Sequence, residues 1–171
     1  MKKLPKIELH CHLDGSVRVN TIIDIAKKEN IKLDSYKKCD IEKIVQVPSD
    51  CTCLNEYLKR FDLPNKVMQN SKNLKRITFE LLEDAYSENV KYIEIRFAPM
   101  LHLNGGLSVK EVIQSVIDGI NEAEKTVKEL GLELIIENEV EELNKESTII
   151  SEQVPIQGVI VNKGSKVYAK Y

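Results

Sequence analysis

His10 and His12 close a run in which apolar and polar residues alternate, Ile7-Glu8-Leu9-His10-Cys11-His12-Leu13. In an extended strand, residues two apart project to the same face, so the two imidazoles converge. Two convergent imidazoles are half of a typical divalent-metal site. Leu13 and the Asp14-Gly15 pair read as the strand leaving its sheet. That puts the histidines at a strand end, where enzymes built on parallel strands gather their reactive groups. A lone His-x-His more often marks the polar face of an ordinary strand; the residues that follow it here reverse that reading.

The elements that must carry this pair follow from periodicity. Asn20 or Thr21 caps a helix running to about Asn30, with Ile22, Ile23 and Ala26 on its apolar side. Residues 31–50 read as irregular and polar, with Pro48 as a breaker. A helix from about Leu54 is expected to stop before Pro64, with a turn or helix over 66–69. Residues 71–89 carry Leu74, Ile77, Leu81, Leu82 and Ala85 at helical spacing, and a second strand follows over 91–97. Ser108 and Glu111 form a Ser-x-x-Glu capping box ahead of Val109, Val112, Val116, Ile120, Ala123 and Val127. Gly131 ends that helix, and 132–136 is a candidate third strand. The order strand, helices, strand, helix, strand is a parallel-sheet pattern.

Beyond Ile136 the character changes. Residues 137–146 are an acidic run with little apolar support, and 148–171 read as β. Gly158-Val159-Ile160-Val161, a turn at Asn162-Lys163-Gly164 and Lys166-Val167-Tyr168-Ala169 predict a hairpin. The expected division is therefore 1–136 and 137–171.

Both clear strands alternate. Glu8, His10 and His12 oppose Ile7, Leu9, Cys11 and Leu13; Tyr92, Glu94 and Arg96 oppose Ile93, Ile95 and Phe97. In one barrel the polar sets point inward and the apolar sets meet the helices. Charges placed inside require partners, so Arg96 is expected to bond Glu8 or Glu94. The alternative is a half-exposed antiparallel sheet with those charges in water.

The stretch Leu4-Pro5-Lys6-Ile7-Glu8-Leu9-His10-Cys11-His12-Leu13-Asp14-Gly15-Ser16-Val17-Arg18 strongly resembles the opening of adenosine deaminases, zinc aminohydrolases on a (β/α)8 barrel. His-x-His alone would admit the wider amidohydrolase group, whereas Leu-Asp-Gly-Ser-x-Arg is much narrower. Tyr92-Ile93-Glu94-Ile95-Arg96-Phe97-Ala98-Pro99-Met100-Leu101-His102 resembles the family's second barrel strand and the loop after it. Glu56-Tyr57-Leu58-Lys59-Arg60-Phe61-Asp62-Leu63-Pro64 resembles its helical lid over the nucleoside pocket. The likeness covers about 4–134. It implies a partial (β/α)8 barrel of two to three β/α units with a lid insertion; the hairpin-like tail is read from residues 148–171 themselves and is not the continuation expected of a barrel. It further implies that His10 and His12 ligate zinc, that Asp14 hydrogen-bonds the ribose end of adenosine, and that Leu58 and Phe61 line the lid.

Deamination at purine C6 exchanges an amine for a hydroxyl, which demands an activated water, an acid for the ring nitrogen and a group to orient the water. The family takes a third His ligand, an Asp ligand, the Glu acid and a catalytic His from later strands, and its His-Ala-Gly-Glu segment does not occur here. No Glu of this chain is assigned as the acid. The third of the three histidines, His102, reads as a surface or helix-capping residue.

The 171 residues fall short of the roughly 250 of a complete barrel. The net charge of −2, with both signs interspersed, argues for a small ligand rather than nucleic acid. Met1-Lys2-Lys3-Leu4-Pro5-Lys6 begins no secretory signal, and no stretch reaches the ~18 apolar residues of a membrane span. A cytoplasmic protein with four reduced thiols is expected, and the Cys51 and Cys53 pair reads as ordinary thiols rather than a second metal site. Three readings remain open: an adenosine deaminase-type chain that binds zinc weakly and turns over little; a non-catalytic binding or assembly module whose open barrel edges self-associate; and a metal site completed at a subunit contact. Within the first, adenine or another 6-aminopurine can replace adenosine. His-x-His also suits iron, cobalt or manganese.

Overall fold

The computed structural model describes residues 4–129, with the side chains of 4–126, and the backbone of 152–154 and 168–170. The chain forms two units, Met1–Glu133 and Leu134–Tyr171. The expected third strand over 132–136, the acidic run over 137–146, the strand over 158–161 and the turn at Asn162-Lys163-Gly164 lie outside the described residues. Within the second unit, β3 (Glu152–Val154) pairs antiparallel with β4 (Tyr168–Lys170).

The first unit is built on two parallel strands, β1 (Lys6–His12) and β2 (Val90–Arg96). Between them run α1 (Val19–Lys28), α2 (Lys38–Val45), α3 (Leu54–Leu58), a 3-10 turn (Lys59–Phe61), α4 (Asp62–Val67) and α5 (Ser71–Ser87). After β2 come a 3-10 turn (Pro99–His102) and α6 (Val109–Glu129). Parallel pairing needs such a crossover, and this is a partial (β/α) barrel.

Helix starts and stops follow local chemistry. Asn70 caps α5, its side chain accepting from Asn73 N at 2.9 Å. Asn30 and Asn89 adopt positive φ, 55° and 63°, just past the ends of α1 and α5, where asparagine tolerates the left-handed conformation. The Ser108–Glu111 box forms as expected: Ser108 N donates to Glu111 Oε2 at 2.8 Å, and Glu111 N to Ser108 Oγ at 3.3 Å. The Ser108 backbone and then its hydroxyl hold the Glu111 carboxyl below its ordinary pKa.

Three expectations about elements need correction. Residues 31–50 are not wholly irregular, because α2 forms where fully buried Ile41 docks on the core; tertiary burial outweighs a polar local sequence. The helix expected to stop before Pro64 restarts instead. Pro64 lies in the first turn of α4, where its missing N–H costs no intrahelical bond. The cap expected at Asn20 or Thr21 also moves, since α1 begins at Val19.

The core gathers Leu13, Ile22, Ile25, Ile41, Leu63, Val67, Met68, Leu74, Ile77, Leu81, Val112 and Val116. Ile93, Ile95 and Phe97 of the second strand region pack against it, and Arg96 pairs with Glu94 at 3.1 Å. That pair is half exposed, so its net contribution is small, ~0–1 kcal/mol. The first strand divides. Leu13 and Cys11 reach the core, but Ile7 and Leu9 remain 69% and 57% exposed, contrary to the expected helix cover. Register shifts between Glu8 and Cys11 break the alternation there. Among the described residues, the helices cover only the strand's C-terminal end.

Candidate metal centre

The sequence places His10 and His12 at the C-terminal end of β1, and the fold makes them converge. Their Nε2 atoms lie 3.1 Å apart and their ring centroids 5.1 Å. Two nitrogens each ~2.0–2.1 Å from one zinc, at an angle of about 100°, stand at this separation. The pair therefore fits two corners of a zinc shell. Among the described residues, no group of three or more His, Cys, Asp or Glu side chains gathers to complete it.

The backbone then turns sharply. Gly15 N donates to His12 O at 3.2 Å, Ser16 N to Leu13 O at 3.2 Å, and Ser16 Oγ to His12 O at 2.7 Å. This turn swings Asp14 back towards the metal side, with Oδ1 3.5 Å from His12 Nδ1. Asp14 is only 6% exposed, and Oδ1 has no hydrogen-bond partner among the described residues. A carboxylate behind a ligating imidazole orients the ring and raises its basicity.

Phe61 closes on the same spot. Its ring meets His12 edge-on at 6.0 Å and Tyr57 at 5.6 Å. A Cβ on Gly15 would lie 3.2 Å from Phe61 Cε1, so the missing side chain admits the phenyl ring. Leu58, one turn earlier, is half exposed. Arg60 ties this segment to the end of α2, donating to Lys43 O at 3.1 Å and Ile44 O at 3.3 Å.

His102 is the correction here. Read as a surface or capping residue, it is instead 0% exposed. In the 3-10 turn, residues three apart eclipse. Pro99 and His102 turn inward, while Met100 and Leu101 are 68% and 49% exposed. The three-residue period of the turn, which sets His102 on the side of Pro99, was the signal for its burial. Burial lowers the pKa of His102 below its ordinary 6.5, and the nearby Asp14 charge opposes that shift. Cys51 and Cys53 carry free thiols.

Comparison with known proteins gives the family. An adenosine deaminase of Clostridium botulinum (strain Kyoto / Type A2) is 53% identical over 169 residues, 99% of this chain and 47% of that protein. Another, from strain Langeland, is 64% identical over 124 residues, 72% of this chain and 37% of that protein. The chain thus spans less than half the length of these relatives. A solved structure of Arabidopsis ADAL with IMP is 31% identical with a TM-score of 0.54, covering 72% of this chain and 36% of that one. An amidohydrolase from Burkholderia ambifaria, solved with bound zinc, shares the fold at 23% identity and a TM-score of 0.60, over 72% and 33% of the two chains. A family model described as adenosine deaminase matches residues 5–155. The chain belongs to the adenosine deaminase family.

Proposed function

We propose that this chain supplies the metal-holding strand and nucleoside lid for the hydrolytic deamination of adenosine to inosine. The observation that carries the reading is the convergence of His10 and His12 at 3.1 Å, with Asp14 behind His12 and Phe61 over it. His10 and His12 hold zinc through Nε2. Bound zinc supplies the Lewis acidity that makes water a nucleophile near neutral pH. Asp14 orients His12 and accepts from a ribose hydroxyl. Phe61 and Leu58 cover the purine and keep bulk water out. The lid favours a nucleoside over adenine or another free 6-aminopurine. A cytoplasmic setting accords with the four free cysteines.

Among the described residues only two candidate ligands meet, which makes a weak site, and the His-Ala-Gly-Glu segment of the family does not occur in this sequence. The 171-residue chain by itself is expected to bind zinc weakly and turn over little or no adenosine. Zinc stoichiometry after dialysis and the fall in adenosine absorbance test this; vigorous turnover by this chain would show the reacting groups to be misassigned. Exposed Ile7 and Leu9 support a second reading, an assembly module that associates through the open strand face. Light scattering during size exclusion discriminates, since a monomer at high concentration removes that reading. A zinc titration that drives dimer formation would instead support a metal site shared between subunits.

A further inference from the structure

Cys51 and Cys53 flank Thr52 where the chain enters the lid, and both carry free thiols, Cys53 exposed and Cys51 half-buried. Cys51 N donates to Pro48 O at 3.1 Å, and the Cys51 thiol lies over the residue that opens the lid, its Sγ donating to Cys53 O at 3.5 Å. The same Cys53 carbonyl is the first acceptor of α3, taking Glu56 N and Tyr57 N, each at 3.1 Å. Cys53 therefore caps the lid helix, and the Cys51 thiol already rests on that cap. The other thiols have different surroundings. Cys11 packs against the core with Sγ 3.3 Å from Ser16 Oγ, and Cys39 sits in α2 beside Asp40.

The helix that follows has little packing of its own. None of Leu54–Leu58 is buried, and Leu54 is 70% exposed. Its link to the histidine pair is a chain of rings, Tyr57 on Phe61 at 5.6 Å and Phe61 on His12 at 6.0 Å. Arg60 fixes the far end through Lys43 O and Ile44 O. A constraint placed at Cys53 therefore falls on the loose end of this segment, and Tyr57 carries it to the rings.

We propose that Cys51 and Cys53 form a reversible oxidation site, a dithiol that a small-molecule disulfide such as glutathione disulfide closes into a bridge, resetting the entry to α3 and with it the Phe61 ring over His12. The exchange balances. Cys51 loses its proton to solvent, and its thiolate attacks one sulfur of the small disulfide and expels the other half as a thiolate. Cys53 then loses its proton, attacks Cys51 Sγ and expels the second half. Two small thiols leave, so the small disulfide is reduced as the protein pair is oxidised. Chain connectivity keeps residues two apart within about 7 Å between Cα atoms, at the upper edge of what a disulfide spans. Closing so short a loop gives little loop-entropy stabilisation and strains the bridge, so thiols reopen it readily. The bridge removes the Cys51 hydrogen bond to Cys53 O and ties the cap of α3 to the turn at Pro48. No substrate takes part, so the site stands apart from the nucleoside reading.

The 171-residue chain is equilibrated with mixtures of reduced and oxidised glutathione, alkylated, digested with trypsin and weighed by mass spectrometry. Both cysteines fall in one tryptic fragment, residues 44–59. That fragment should be lighter by its thiol hydrogens and take up no alkylating reagent, and dithiothreitol should reverse the change. Cys51→Ser and Cys53→Ser should each abolish it, whereas Cys39→Ser should not. Serine is favoured at a helix cap, so Cys53→Ser keeps α3. Ring NMR signals of Phe61 and His12 are recorded in both redox states. They should move on oxidation of the unmodified chain and of Cys39→Ser, and stay in place in Cys51→Ser. Separate glutathione adducts on the thiols of 44–59, a bridge from either cysteine to Cys11 or Cys39, unreacted thiols throughout, or rings that ignore the bridge would each overturn the proposal.

Discussion

His10 Nε2 and His12 Nε2 stand 3.1 Å apart at the end of a strand whose next residue, Leu13, is fully buried. The buried leucine and the turn after it anchor the strand end that carries the two rings. Each of His10→Ala and His12→Ala should lower zinc affinity by more than the ~10–100-fold typical of an outer partner such as Asp14. Competition against a chromogenic chelator measures this. Equal zinc affinity in His10→Ala and the unmodified chain would remove His10 from the site.

Arg18 joins the start of α1 to α5. It donates to Asp84 Oδ1 at 2.6 Å, Asp84 Oδ2 at 2.9 Å, Glu83 Oε2 at 2.7 Å and the Glu80 carbonyl at 3.1 Å. The Asp84 hydrogen bond is the main reason its pKa rises above the ordinary value. The carboxylates are half exposed, which limits the contribution of the clasp to about 1 kcal/mol. Arg18→Ala should lower the urea midpoint accordingly. Arg18→Lys should recover only part of the loss, because an ammonium cannot match the two-pronged contact with Asp84.

Gly105 lies against the Gln69 main chain, and an added Cβ would sit 1.9 Å from the Gln69 carbonyl oxygen. Main-chain atoms cannot step aside as a side chain can. Gly105→Ala should cost about 1–3 kcal/mol in chemical denaturation and should broaden the NMR signals of the Pro99–His102 turn. Full stability in this variant would mean that the loop has a second resting position.

Acid should loosen the fold through His102. Its pKa is lowered from 6.5 chiefly by burial, with Asp14 the charged group acting against that shift. Below pH 6.5 the unfolded chain takes up a proton at this position before the folded chain does. Stability from this group is therefore fully present above 6.5 and falls as the pH drops below it, until the folded pKa is reached. Thermal melts between neutral and mildly acidic pH should show this decline, and His102→Phe should flatten it. An identical slope in His102→Phe would assign the decline to other groups.

The spacing of His10 and His12, the Ser108–Glu111 box and the apolar stripes of α5 and α6 were legible in the sequence because each depends on neighbours within one or two turns of chain. The parallel order of β1 and β2 was legible for a related reason, since the long helical run between them leaves a crossover as the natural connection. Contacts between distant segments decided the rest. Ile41 forms a helix because the core accepts it, and Pro64 lies inside the first turn of one because the chain turns through Lys59–Phe61 just before. His102 is buried because Gln69, 33 positions earlier in the numbering, fixes its loop over Phe97. Local pattern sets which face of an element is apolar. Which of those faces finds a partner, and which polar group is enclosed with them, is decided only when the elements meet.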